Sequence, residues 1–153
     1  MLALLNVLAV LASSSPMPDP PNRGPWLAIR PAEYVNVQIR PDGGWRVIER
    51  GPASGPALPL NPAHRPVVPP DTVRFTLNRT DRGMMLVVIN GYGQRLQYRG
   101  LLRRQPNSRP EPSSVCPVLG RIMGVEDWPY AFAELDVGEF ELVQDAGQPM
   151  VCR

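Results

Sequence analysis

Thr72-Val73-Arg74-Phe75-Thr76-Leu77, then Met84-Met85-Leu86-Val87-Val88-Ile89, then Arg95-Leu96-Gln97-Tyr98-Arg99-Gly100-Leu101-Leu102-Arg103 are the three runs that decide the fold class. The first and third alternate apolar and polar residues, the period of a strand with one face buried, and the second is continuously apolar. Asn90-Gly91-Tyr92-Gly93 separates the last two, and Asn and Gly tolerate the positive φ of a hairpin turn. Asn78-Arg79-Thr80-Asp81-Arg82-Gly83 separates the first two with further turn chemistry. The stretch therefore predicts a three-stranded antiparallel meander.

Working outward, Trp26 to Arg30 reads as a short strand closed by Pro31, and Tyr34 to Arg40 alternates with Val35, Val37 and Ile39 on one face. Pro41-Asp42-Gly43-Gly44 is a strong turn signal, so Trp45 to Arg50 completes a hairpin. The proline-crowded segment from Gly51 to Pro70 is expected to carry the chain from one sheet to another, and Gln105 to Ser114 is a second proline-rich loop. Val115 to Leu119 is an apolar piece at a sheet edge, and Gly120 to Tyr130 is the least regular segment, where any helical turn would fall. Ala131 to Val137 and then Glu139 to Leu142 alternate again, with a register offset at Gly138. About eight strands at this spacing predict an all-β antiparallel β-sandwich with proline-rich loops.

The totals agree. A chain of 153 residues supports one core, and 20 prolines oppose long helices. All sixteen basic residues are arginine, and a net charge of +2 is too small to imply nucleic acid. Leu2 to Ala12 is an apolar run ended by Ser13-Ser14-Ser15-Pro16, with small residues before the break. That is the shape of a secretory signal over residues 1–12, since a membrane span needs about 18 apolar residues. A buried first strand or helix is the other reading of this run. Residues 13–25 read as a mobile proline-rich lead-in, leaving residues 26–153 as a single domain. The mature chain is then expected to be secreted or periplasmic, without stable membrane insertion.

Two cysteines, Cys116 and Cys152, are expected to pair in an exported chain. Signatures of catalysis are sparse. Gly91-Tyr92-Gly93 does not open a helix, His64 is the only histidine, and Glu126-Asp127 is a pair of adjacent carboxylates, which rarely face one substrate together. No enzymatic activity, cofactor or metal is expected. Asn78-Arg79-Thr80 matches a glycosylation acceptor pattern.

Charge is distributed unevenly. Arg74 to Arg109 holds eight arginines and one acid, whereas Glu126 to Asp145 holds seven acids and no arginine. Arg95, Arg99 and Arg103 share the outward face of one strand, so they either pair with Glu134, Asp136, Glu139 and Glu141 on a neighbouring strand or form a strip that docks a charged protein. Trp128-Pro129-Tyr130 either plugs an open end of the sandwich or makes a rigid contact point, with Trp128 and Tyr130 as the candidates.

The apolar strand, Asn-Gly turn and Leu-x-Tyr strand between Leu86 and Tyr98 resemble exported bacterial immunoglobulin-like β-sandwich proteins. Cys116-Pro117-Val118-Leu119 and Trp128-Pro129-Tyr130 resemble segments of secreted bacterial proteins of the same kind. The resemblance spans the last half of the chain and implies a fold and a compartment but no catalytic residue. The function expected is that of a binding or structural accessory module whose partner is another protein. The alternative is an inhibitor of an extracytoplasmic hydrolase of protease or lysozyme type, presenting Gly120 to Tyr130 or Gly51 to Pro70 to an enzyme cleft.

Overall fold

Alternation alone turns Val35, Val37 and Ile39 to one side of their strand, and in the computed structural model all three are buried with Val73, Phe75 and Leu77 of a neighbouring strand. The structure describes residues 26–61, 63, 65–145, 147 and 149–153. The expected signal, the lead-in and His64 lie outside the described residues. Among the described residues nine strands form two antiparallel sheets: β1 (Trp26–Ile29), β2 (Glu33–Ile39), β3 (Trp45–Pro52), β4 (Val73–Arg79), β5 (Met84–Asn90), β6 (Arg95–Arg103), β7 (Glu111–Ser113), β8 (Met123–Trp128) and β9 (Glu134–Val143). The four-stranded sheet has the order β1-β9-β6-β7 and the five-stranded sheet β3-β2-β4-β5-β8. The described residues are thus an all-β sandwich.

The two inner faces supply one core. Phe75 of the five-stranded sheet meets Tyr98 at 5.6 Å and Phe140 at 5.8 Å, both from the four-stranded sheet. Each fully buried Leu, Val or Phe stabilises the fold by about 1.5–3 kcal/mol. A half-exposed ion pair contributes roughly 0–1 kcal/mol, so burial sets the stability and charge refines the register.

Three expectations about connectivity are corrected. The stretch from Thr72 to Arg104 is not one meander: β4 and β5 pair, but β6 belongs to the opposite sheet. Asn90-Gly91-Tyr92-Gly93 is therefore an arch between sheets. Neither glycine there has a positive φ, and Gly91 is needed because a Cβ would lie 2.6 Å from the Thr72 carbonyl and 2.8 Å from that of Pro69. Conversely, the proline-rich connection from β3 to β4 stays within one sheet. It lies over the outer face, where Asn78 Nδ2 donates to the Ala57 carbonyl and Pro56, Pro59 and Pro66 approach Val87. The asparagine of the acceptor pattern is thus engaged by the chain's own backbone. Finally, Gly120 to Tyr130 holds no helical turn but the edge strand β8.

The expected register offset near Gly138 is a bulge in β9, where Gln97 opposes Glu141 and Arg99 opposes Gly138. Glu139, not the glycine, takes the positive φ of 51°. Cys116 and Cys152 are bonded across a separation of 36 residues, and beside them Val115 and Arg153 exchange two backbone hydrogen bonds. In the chain-entropy model a loop of that size stabilises by about 4 kcal/mol.

Gly91→Ala should lower the unfolding free energy in urea by about 1–3 kcal/mol through overpacking. Gly93→Ala, which meets nothing within 4 Å, should leave it within experimental error.

Candidate functional site

The β6–β9 pairing decides what the arginine strip does. Arg99 Nε lies 3.0 Å from Glu139 Oε2, and Arg103 Nε lies 3.0 Å from Asp136 Oδ2 and 3.4 Å from Glu134 Oε1. Arg103 also donates through Nη1 to the Ser108 carbonyl, so its fork ties β6, β9 and the loop after β6 together. Arg95 departs from the expected outward position: its side chain is 2% exposed, with Asp145 at 4.0 Å. Glu134 and Asp136 are buried rather than solvated. Of the three arginines only Arg99 is half exposed, and its charge is matched by Glu139.

Trp128 is 6% exposed, sets its indole N–H on Ser113 Oγ at 3.0 Å, and meets Phe132 edge-on at 5.4 Å. It closes one end of the core. Tyr130 is half-buried beneath Arg104, whose guanidinium carbon lies 4.4 Å from the ring centroid. The two aromatics therefore do not act as one surface.

Glu126 of β8 points inward and accepts a hydrogen bond from the Cys116 backbone N–H at 2.6 Å. Burial pushes its carboxyl above the ordinary range, partly offset by that N–H. Tyr98 Oη, which is buried, has no hydrogen-bond partner among the described residues, and its pKa is raised by desolvation and by Glu126. These groups polarise the inner side of β8 next to the disulfide. Among the described residues no group of three or more His, Cys, Asp or Glu is placed to hold a metal ion.

Two concavities among the described residues bear on function. The smaller, about 240 Å³, lies between the outer face of β6 and β9 and the carboxyl-terminal segment, lined by Gln97, Arg99, Glu139, Glu141, Pro117 and Arg153 among others. The larger, about 680 Å³, opens at the end of the sandwich where the β2–β3 turn, the β5–β6 arch and β9 converge. Ile39, Tyr92, Phe140 and Leu142 give it an apolar lining, and Gln38, Gln94, Arg40, Asp42, Asp71 and Glu141 a polar one. Tyr92 is held rigidly, because its hydroxyl both accepts from the Ile39 N–H at 2.8 Å and donates to the Ile39 carbonyl at 2.9 Å. Arg40 is committed to Asp42 at 3.6 Å, leaving the groove with an excess of negative charge. Asp71, on its rim, has a left-handed backbone with φ 55°.

Neither Glu126 nor Asp127 lines these concavities. Sequence reasoning missed the groove because Gln38, Asp71, Tyr92 and Glu141 come from four separate segments; the left-handed Asp71 after Pro69-Pro70 carried no local signal distinct from a turn.

No family model, no curated protein and no solved structure matches the chain.

At neutral pH the half-buried Glu126 carboxylate is the costly form. A carboxyl whose folded pKa is raised adds stability below its unfolded value, and that contribution is lost as pH rises through the folded pKa. Glu126→Gln, whose amide oxygen can still accept from Cys116, should be as stable as the parent or more so in urea titrations at neutral pH. The difference should move in the parent's favour as pH is lowered through the raised folded pKa of Glu126 to the ordinary carboxylate value, and change no further below it.

Proposed function

We propose that the chain is a secreted or periplasmic accessory protein that acts by binding another protein, and that the groove at the end of the sandwich receives that partner. The single observation that carries this is the groove: a concavity of about 680 Å³ with an apolar floor, a rigid Tyr92 and convergent polar groups. Binding sites are typically concave and mostly apolar, with a few fixed polar groups. The excess of carboxylates over guanidinium favours a partner segment bearing basic or amide side chains. A disulfide supports an oxidising compartment, and among the described residues no helix is long and apolar enough to cross a membrane.

The hydrolase-inhibitor alternative is weaker. Most of Gly120 to Tyr130 is strand and Trp128 is buried, so that reading would rest on the proline-rich connection alone. The arginine strip is also a weaker docking surface than the groove, since Arg99 and Arg103 face carboxylates of their own sheet.

The test is affinity capture from periplasmic or culture extract with the parent chain and, in parallel, with the Asp71→Arg, Glu141→Arg double variant. A protein retained by the parent and lost from the variant is the expected result. Equal retention on both, or recovery of general chaperones alone, would overturn the proposal.

A further inference from the structure

Strand β8 carries its side chains the wrong way round for an edge that faces water. Its inward positions hold Gly124, Glu126 and Trp128, whereas Met123 and Val125 point outward, with Val125 41% exposed and the preceding Ile122 49% exposed. On the outer face Val125 stands beside Val87, and Met123 beside Ile89, so β8 extends an apolar strip of β5 to the limit of the sheet.

Among the described residues no backbone partner covers the side of the strand turned away from β5. Asn90 N–H donates to the Ile122 carbonyl, which makes Asn90 and Ile122 a hydrogen-bonded pair. By the alternation of an antiparallel ladder, Gly124, Glu126 and Trp128 bond to β5, and the N–H and C=O groups of Met123, Val125 and Asp127 face outward along the edge.

The other edges are guarded in ways that β8 is not. β3, at the far side of the same sheet, pairs through a bulge and carries Arg46, Glu49, Arg50 and Pro52. β1 has four residues, and β7 has three including Pro112. Short length, charge, proline and bulges are the usual means of preventing edge pairing. β8 is six residues long, has no proline, bulge or basic residue, and carries Asp127 as its one outward charge.

We propose that β8 pairs antiparallel with β8 of a second copy of this chain about a two-fold axis at Val125, joining the two five-stranded sheets into one. The register is self-complementary. Val125 meets Val125 of the second copy and Met123 meets Asp127 of the second copy, so the outward backbone groups of both strands find partners in about six hydrogen bonds. Two-fold pairing of like surfaces is the commonest mode of self-association. Charge selects this occupant. Arg121, in the left-handed turn just before β8, and Asp127, near the end of β8, have no ion-pair partner among the described residues, and the antiparallel axis brings each to the same end of the paired strands as the other residue of the second copy, so opposite charges meet twice per dimer.

Sedimentation equilibrium of the disulfide-bonded chain over a wide concentration range tests this. A monomer–dimer equilibrium is expected. Arg121→Asp and Asp127→Arg should each raise the dimer Kd about tenfold or more, and the double variant should return it towards the parent value. Val125→Pro removes a central edge N–H that β5 does not use and should leave a folded monomer, checked by its circular dichroism. A parent chain that stays monomeric throughout would overturn the proposal. So would a dimer indifferent to the charge reversals, or single-variant losses that the double variant does not recover.

Discussion

A sandwich chain must leave one sheet for the other without stranding buried backbone groups, and here the arch from β5 to β6 meets that constraint through one side chain. Asn90, 1% exposed, divides its amide hydrogens among the carbonyls of Gln94 at 2.8 Å, Val118 at 3.1 Å and Leu119 at 3.1 Å. Its Oδ1 accepts from the Tyr92 N–H at 3.0 Å. A neutral hydrogen bond contributes only about 1 kcal/mol net, but a buried polar group left without a partner costs roughly 1–3 kcal/mol. The amide is thus worth most for the orphans it prevents. It binds the arch to the segment between β7 and β8, and it orients Tyr92, whose hydroxyl returns to Ile39 and fixes the wall of the groove.

A second clamp works at the opposite end by charge. Arg50 of β3 lies 3.2 Å from Glu33 and donates to the Ala28 carbonyl of β1 at 3.0 Å, while the Arg30 N–H donates to the other Glu33 oxygen. Because these side chains are largely buried, removing one member would leave charge in a poorly solvated place, a loss of about 3–5 kcal/mol for a buried pair. The disulfide adds a third tie, from the carboxyl-terminal segment to the edge beside β6. Between the ties the apolar core supplies most of the stability, so the surfaces proposed for binding, the groove and the β8 edge, stand on a rigid frame.

What could be read beforehand follows from how local each signal is. Strands such as β2, β4 and β6 announce themselves because alternation is written into neighbouring residues. Sheet membership is not local. Asn90-Gly91 satisfies the rules of a hairpin as well as those of an arch, and the Val118 and Leu119 carbonyls that decide between them are 28 and 29 residues away. β8 was hidden for a different reason: Glu126 faces inward and Val125 outward, inverting the pattern by which strands are recognised. The pairing of Arg99 and Arg103 with β9 was one of two readings open in the sequence, whereas the burial of Arg95 follows from three-dimensional placement that its strand position could not reveal.

The arch depends most directly on the Asn90 amide, and the unfolding free energy of Asn90→Ala measured in urea tests that dependence. A loss of about 3 kcal/mol is predicted from the backbone groups left without partners. A variant within about 0.5 kcal/mol of the parent, the range of ordinary surface substitutions, would contradict the claim that this side chain satisfies the buried backbone groups of the arch between the sheets.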